Sequence, residues 1–349
     1  MVTEPRELRT FETCKGTRIY QIPLEVFPAF WGFAYLVMVE GFRVLIDTGS
    51  GFGKSNQHLE EGLGKVSSSI GRELTLKDLT HVFITHGHID HFGGLDYVRP
   101  RTQAKIGVHE LDRRNLTKYE ERISIVTIRL KHFLAEAGVS EERSKRLLDL
   151  YQINKSLFRS VSIDFTFGSS GMQVGPFKML HVPGHCAGHV VIRLDDVLFS
   201  GDHILSGISP HQAPERLTTN TGLGHYLASL DVLKAWMPEA RLTLCGHEAS
   251  ITNLVERIEN IKMLHRGRLQ SVLDVCLQPK TVAEIADVLF GDAHGYHELL
   301  ALEEAGAHLE YLYQRGLVEV SNLDELGNGA RPVALRYQRL THPIDVRLI

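Results

Sequence analysis

Short apolar bursts dominate residues 17–50. The run from 35 to 47 is two such bursts around Glu40-Gly41, a pattern that predicts a β-hairpin. Asp47-Thr48-Gly49-Ser50-Gly51 then breaks the strand into a loop. A short helix is expected at 74–79, a buried strand at 81–85 and another at 104–108, and 110–160 mixes charged and apolar residues at helical spacing without proline. Strand character returns at 163–167, 177–182 and 190–200, where Asp195-Asp196 marks a second hairpin, and at 241–244; helix follows over 250–276. Strands that alternate with helices and end in polar residues predict α/β layers with a site at the strand ends.

Near residue 265 the pattern changes. Two short helices are expected at 269–277 and 281–290, the second opened by Thr281 with Glu284 three residues on, a capping box. Leu299, Leu302, Leu309 and Leu312 recur at helical spacing and give a third helix ending near Gly316. Apolar runs at 317–320 and 333–337 across a Gly/Asn/Asp-rich stretch read as a hairpin. Three helices and a hairpin make a winged-helix-like outline. The expected division is therefore 1–264, with a helical insert at about 110–160, followed by 265–349.

Composition narrows the class. With 349 residues, 43% hydrophobic and 23% charged, the chain matches a globular protein and can bury an ample core. It has no run of about 18 apolar residues, and its charged start, Met1-Val2-Thr3-Glu4-Pro5-Arg6-Glu7, lacks the apolar segment of a signal peptide. Cys14, Cys186, Cys245 and Cys276 form no CxxC pair, so a reduced, cytoplasmic protein is expected. A net charge of −4 argues against a general polyanion binder. The excess lies in histidine, with 19 residues of a side chain that serves as metal ligand and near-neutral acid or base.

Thr85-His86-Gly87-His88-Ile89-Asp90-His91 directly follows a buried strand. Three histidines and an aspartate so close together are hard to explain by packing. Two imidazoles two positions apart reach one ion from a tight loop, and the Asp90-His91 step reaches a second on the other side. Three more donors stand just past short apolar runs beside a glycine: His185 in Pro183-Gly184-His185-Cys186, Asp202 after Gly201, and His247 after Gly246.

These motifs, HxHxDH followed in order by His185, Asp202 and His247, resemble the metallo-β-lactamase superfamily over roughly residues 15–262. The resemblance implies an α/β fold, a four-layer αβ/βα sandwich with a dinuclear site at one edge of its two sheets. It implies His86, His88 and His185 as ligands of a first metal, Asp90, His91 and His247 as ligands of a second, and Asp202 as the bridge. Asp47 matches the loop-orienting aspartate; His189 is not counted as a ligand. His88 stands where flavodiiron oxygen reductases carry Glu, and Asp202 where antibiotic-hydrolysing lactamases carry Cys. The pattern looks more like glyoxalase II, lactonases and related hydrolases.

Two divalent ions, zinc foremost with manganese or iron also suited, would hold a shared water and lower its pKa towards roughly 7. Hydrolysis of a small ester, thioester or lactone is the expected reaction, with Asp90 as catalytic proton shuttle. Trp31, in the aromatic run 27–33, and His211 and Tyr226, in the stretch after Asp202, are candidate substrate contacts.

The tail resembles the C-terminal winged-helix-like domain of one branch of the same superfamily, which includes predicted hydrolases and an endoribonuclease. A metal-dependent endoribonuclease is thus the alternative reading, a catalytically silent metal-binding regulator a third, and an iron persulfide dioxygenase a fourth. Glu298, Glu303, Glu304 and Glu310 crowd the third helix and would face phosphates unfavourably. A structural or dimerising tail is expected, with Arg331, Arg336 and Arg339 the residual case for RNA. The expected partner is a small-molecule substrate, with no membrane.

Overall fold

Alternation with period two places successive strand residues on opposite faces, and in the N-terminal half both faces are apolar. A computed structural model describes residues 7–155, 158–168, 172–326 and 332–340. Its strands are β1 (Arg9–Glu12), β2 (Arg18–Phe27), β3 (Phe30–Val39), β4 (Phe42–Ile46), β5 (His81–Phe83), β6 (Lys105–His109), β7 (Phe165–Phe167), β8 (Met172–Val174), β9 (Phe177–His181), β10 (Val190–Leu194), β11 (Val197–Gly201), β12 (Leu242–Cys245), β13 (Val318–Val320) and β14 (Tyr337–Arg339). Its α-helices are α1 (Ser55–Ile70), α2 (Ile89–Phe92), α3 (Leu95–Val98), α4 (Arg113–Thr117), α5 (Tyr119–Glu136), α6 (Glu141–Lys155), α7 (Leu223–Trp236), α8 (Leu254–Val275), α9 (Val282–Phe290) and α10 (Tyr296–Gln314). Two compact units result. The first draws its described residues from Met1–Tyr119, Phe158–Pro210 and Ser229–Ile258, the second from Glu120–Leu157, His211–Ala228 and Glu259–Ile349.

In the first unit a seven-stranded sheet runs β1 to β7 in sequence order, and a five-stranded sheet runs β12-β11-β10-β9-β8. The hairpin at Glu40-Gly41 forms as expected: both residues have positive φ, 49° and 82°, the twist that a two-residue turn needs to match its strands. From β4 onward the first sheet becomes parallel, and β11–β12 is the parallel pair of the second. The sheets share a core that includes Ile19, Tyr35, Val44, Phe83, Phe177, Ile192, Phe199 and Leu244. Each such side chain contributes roughly 1.5–3 kcal/mol by leaving water. The other face of β2 takes α1 through Leu59, Leu63 and Val66, and a Cβ at Gly62 would stand 2.2 Å from Ile22 Cγ2. The helix expected at 74–79 is a 3₁₀ turn, Leu76–Asp78, closed by Thr75 and Asp78.

In the second unit the capping box holds, with Glu284 N–H donating to Thr281 Oγ1 at 3.3 Å and Thr281 N–H to Glu284 Oε2 at 2.9 Å. The C-terminal segment does not stand alone. Ala283 N–H donates to Ala137 O at 2.9 Å, Leu335 N–H donates to Glu136 O at 2.8 Å, and Arg143 pairs with Glu298.

Two local expectations are corrected. The helix expected to start at 269 is the continuation of α8, which runs 22 residues without a break. Gly267 lies inside it with nothing within 4 Å of a would-be Cβ, and one glycine costs only about 1 kcal/mol. The second strand of the late hairpin is β14, later than 333–337, because Tyr337 also exchanges both backbone bonds with Lys280 and so fixes the register there.

The acidic row on α10 is engaged within its own unit. Glu298 meets Arg143, Glu303 meets His211, Glu304 meets Arg268, and Glu310 accepts Glu215 N–H at 2.7 Å. These carboxylates are internal ties of the second unit. Arg331 lies outside the described residues. Among the described residues, no helix is long and apolar enough to cross a membrane.

Candidate metal centre

Each expected ligand follows the C-terminal end of a strand in the first unit. Leaving β5, Thr85 opens the turn that carries His86 and His88, and α2 carries Asp90 and His91. His185 follows β9, Asp202 follows β11 and His247 follows β12. The seven side chains fall into two groups, His86–His88–His185 and Asp90–His91–Asp202–His247, each with its donor atoms within 4.8 Å of one another. His86 Nε2 lies 3.0 Å from His88 Nδ1. His247 Nε2 lies 3.3 Å from Asp90 Oδ2 and 3.4 Å from Asp202 Oδ2. Asp202 faces both groups, its Oδ2 3.9 Å from His185 Nε2 and its Oδ1 3.4 Å from His91 Nε2.

The outer ends of the rings are held. His91 Nδ1 bonds Asp47 Oδ2 at 2.8 Å, and His247 Nδ1 donates to the Trp31 carbonyl at 2.7 Å. Asp47 itself sits at φ 59° and accepts Thr85 N–H and Oγ1–H, both at 2.8 Å, which fixes the turn that presents His86. The inner ends are left bare: among the described residues, His91 Nε2, His247 Nε2 and Asp202 Oδ1 are buried with no hydrogen-bond partner. An unmet buried polar atom costs about 1–3 kcal/mol. Imidazole and carboxylate donors, oriented from outside and converging on one point, fit a divalent cation.

The carboxylates and imidazoles of the cluster also act on one another's charge. Burial opposes protonation of His91, but the carboxylates of Asp202 and Asp47 outweigh it and raise the imidazole well above its usual value. His247 is likewise raised to about 10, against burial, by Asp202 and Asp90. Burial opposes ionisation of Asp202, yet His247 and His91 hold it well below the carboxylate range. His86 is pushed down by burial and by the imidazoles around it. Gly246 has no room for a side chain, since a Cβ would stand 2.3 Å from Asp202 Oδ1.

Of the expected substrate contacts, Trp31 lies beside the centre and supplies the carbonyl to His247, while its indole stacks on His58 at 5.2 Å. Phe30, which sequence reasoning passed over within the same aromatic run, is 44% exposed with its ring 4.6 Å from that of His247. His211 and Tyr226 belong to the second unit. His211 Nε2 bonds Glu303 at 2.9 Å, and Tyr226 is fully buried, edge-on to His265 at 5.7 Å. His189 accepts Asp202 N–H at 3.1 Å and stacks on His86.

Sequence reasoning also missed Asp112, in the turn after β6. It is buried and accepts N–H bonds from Gly87 at 2.7 Å and Gly188 at 3.0 Å. No motif marks it, because its partners are distant in sequence.

Comparison with known proteins agrees with this geometry. A sequence model of the Metallo-beta-lactamase superfamily matches residues 30–268. A hydroxyacylglutathione hydrolase of Shewanella sp. (strain ANA-3) is 28% identical over 176 residues, 50% of this chain and 51% of its own length. The chain thus spans about half the length of that relative. The probable metallo-hydrolase YqjP of Bacillus subtilis (strain 168) is 25% identical over 288 residues, 80% of this chain and 86% of its own. The crystal structure of a metallo-beta-lactamase family protein from Thermus thermophilus superposes with a TM-score of 0.74 at 26% identity, covering 92% of this chain and 98% of that one.

Proposed function

The chain belongs to the metallo-beta-lactamase superfamily, and from that premise we propose that it is a dinuclear metallo-hydrolase of small esters, thioesters or lactones. His86, His88 and His185 would hold one ion, Asp90, His91 and His247 the other, with Asp202 between them. The observation that carries this reading is the pair of donor groups meeting at Asp202, with the inner nitrogens of His91 and His247 buried and unbonded. Two divalent ions, zinc foremost, would supply Lewis acidity toward a carbonyl oxygen and a water acidified towards about pKa 7.

The rest of the chemistry falls to the chain. Burial opposes ionisation of Asp90, but the neighbouring imidazoles of His247 and His91 outweigh it and keep its carboxyl ionised, the form in which a carboxylate accepts a proton. Phe30, against His247, offers an apolar surface for the acyl side of a substrate. The kinship with a protein named as a hydroxyacylglutathione hydrolase supports an acyl compound as substrate.

We read α9, α10 and the β13–β14 pair as a winged-helix-like segment with a structural role. The engagement of the α10 carboxylates with their own unit supports this over phosphate contact. A screen of p-nitrophenyl esters, acyl-CoA thioesters, lactones and single-stranded RNA with metal-loaded protein tests the reading. Ester, thioester or lactone turnover abolished by Asp90→Ala is expected; cleavage of RNA alone would replace it with the endoribonuclease.

A further inference from the structure

The two halves of the centre are oriented by different supports. For the second group these are Asp47, on His91, and the Trp31 carbonyl, on His247. In the first group Thr85, held by Asp47, meets His86 Nδ1 at 3.1 Å, and the support shared by both of its loops is Asp112. Its Oδ2 accepts the N–H of Gly87, the residue between His86 and His88. Its Oδ1 accepts the N–H of Gly188, three residues after His185, and the Asn115 amide at 3.0 Å. The Cys186 thiol, next to His185, lies 3.2 Å from Oδ2.

Packing leaves these loops no slack. A Cβ at Gly87 would stand 2.5 Å from Asn115 Nδ2, and one at Gly188 2.6 Å from Asp112 N. One fully buried carboxylate therefore gathers the β5 loop and the β9 loop, which between them carry all three histidines of the first group.

Building on the dinuclear reading, we propose that Asp112 is a positioning residue for the three-histidine site alone: it touches no ion, yet it sets how tightly His86, His88 and His185 bind one, and leaves the Asp90–His91–Asp202–His247 site to its own supports. Substitution acts through the two backbone donors. In Asp112→Asn one acceptor oxygen becomes an NH₂ group facing an N–H, so one loop is released at nearly constant volume. In Asp112→Ala both are released, and two buried donors lose their partner.

Zinc titration against a chelating indicator, with each ion assigned by anomalous diffraction, tests this without recourse to activity. Wild type is expected to take up two ions. Both variants are expected to weaken the three-histidine ion by about 10–100-fold, the range typical of lost outer support, and the other by less than about threefold. Equal weakening of both ions, no weakening, or failure of the near-isosteric Asp112→Asn to fold would overturn the proposal and leave the dinuclear reading standing. Wild type that takes up no ion at either group would overturn the dinuclear reading itself.

Discussion

The chain holds two buried assemblies of histidine and carboxylate, built to opposite effect. In the centre of the first unit, protein groups hold the outer nitrogens of His91 and His247 and leave the inner ones bare. In the second unit, His265, Glu304 and His308 also bring donor atoms within 4.8 Å. There, however, His265 Nδ1 meets His308 Nε2 at 3.0 Å, His308 Nδ1 donates to the Glu304 carbonyl, and the Glu304 carboxylate faces Arg268 at 2.8 Å and His211 at 3.4 Å. Burial opposes ionisation of Glu304, but His211 and His308 hold it down to about 2; its charge is met by the chain's own cations. Residue type alone does not make a metal site. The two differ in how far their donors are answered: in the second assembly the atoms that face one another are paired and, among its described groups, His265 Nε2 is left buried without a partner.

The sharpest break of this contrast is Asp202→Ala. It removes the group that faces both halves of the centre, and turnover should fall by about a thousandfold or more, equivalent to roughly 4 kcal/mol at the transition state, with loss of bound metal by elemental analysis. Arg268→Met, in the other assembly, should leave metal content intact but lower unfolding stability by about 2 kcal/mol, because it takes the partner from one buried oxygen of Glu304 while His211 and Gln212 N–H keep the other; chemical denaturation measures it.

A pH series sharpens the same point. Burial works against the charge on His211, yet Glu303 and Glu304 raise it from 6.5 to about 9. Its contribution to stability is therefore full below about 6.5 and lost as pH rises through about 9. Glu304, lowered from 4.5 to about 2, contributes fully above about 4.5 and loses this only as pH falls through about 2. Melting temperatures of wild type should decline between pH 6.5 and 9, and His211→Gln should flatten that slope. The smallest effect is expected at Phe30, where truncation to Ala removes about 1 kcal/mol of apolar contact and raises KM about fivefold with kcat nearly unchanged.

The clustered donors of the first unit were legible because strand ends announce themselves. An apolar run, a glycine and a donor recur at His185, Asp202 and His247, and the cluster from His86 to His91 is compact. The hairpin at Glu40-Gly41 and the cap at Thr281 were legible for the same reason, since both are local chemistry. What escaped depends on partners far away in the chain. Asp112 and its two glycines are 25 and 76 positions apart. The glutamates of α10 spoke against phosphate contact from the sequence alone, but their partners His211, Arg143 and Arg268 lie far away in the chain. The helix read over 250–276 was legible as α8; only the boundary drawn at 269 was not a break.

The most direct measurement is anomalous diffraction at the zinc edge from crystals of zinc-loaded wild-type protein. The account predicts two ions per chain, one among His86, His88 and His185, one among Asp90, His91 and His247, with Asp202 between them. Density for zinc among His265, Glu304 and His308, or none at the first-unit centre with zinc in excess, would contradict it.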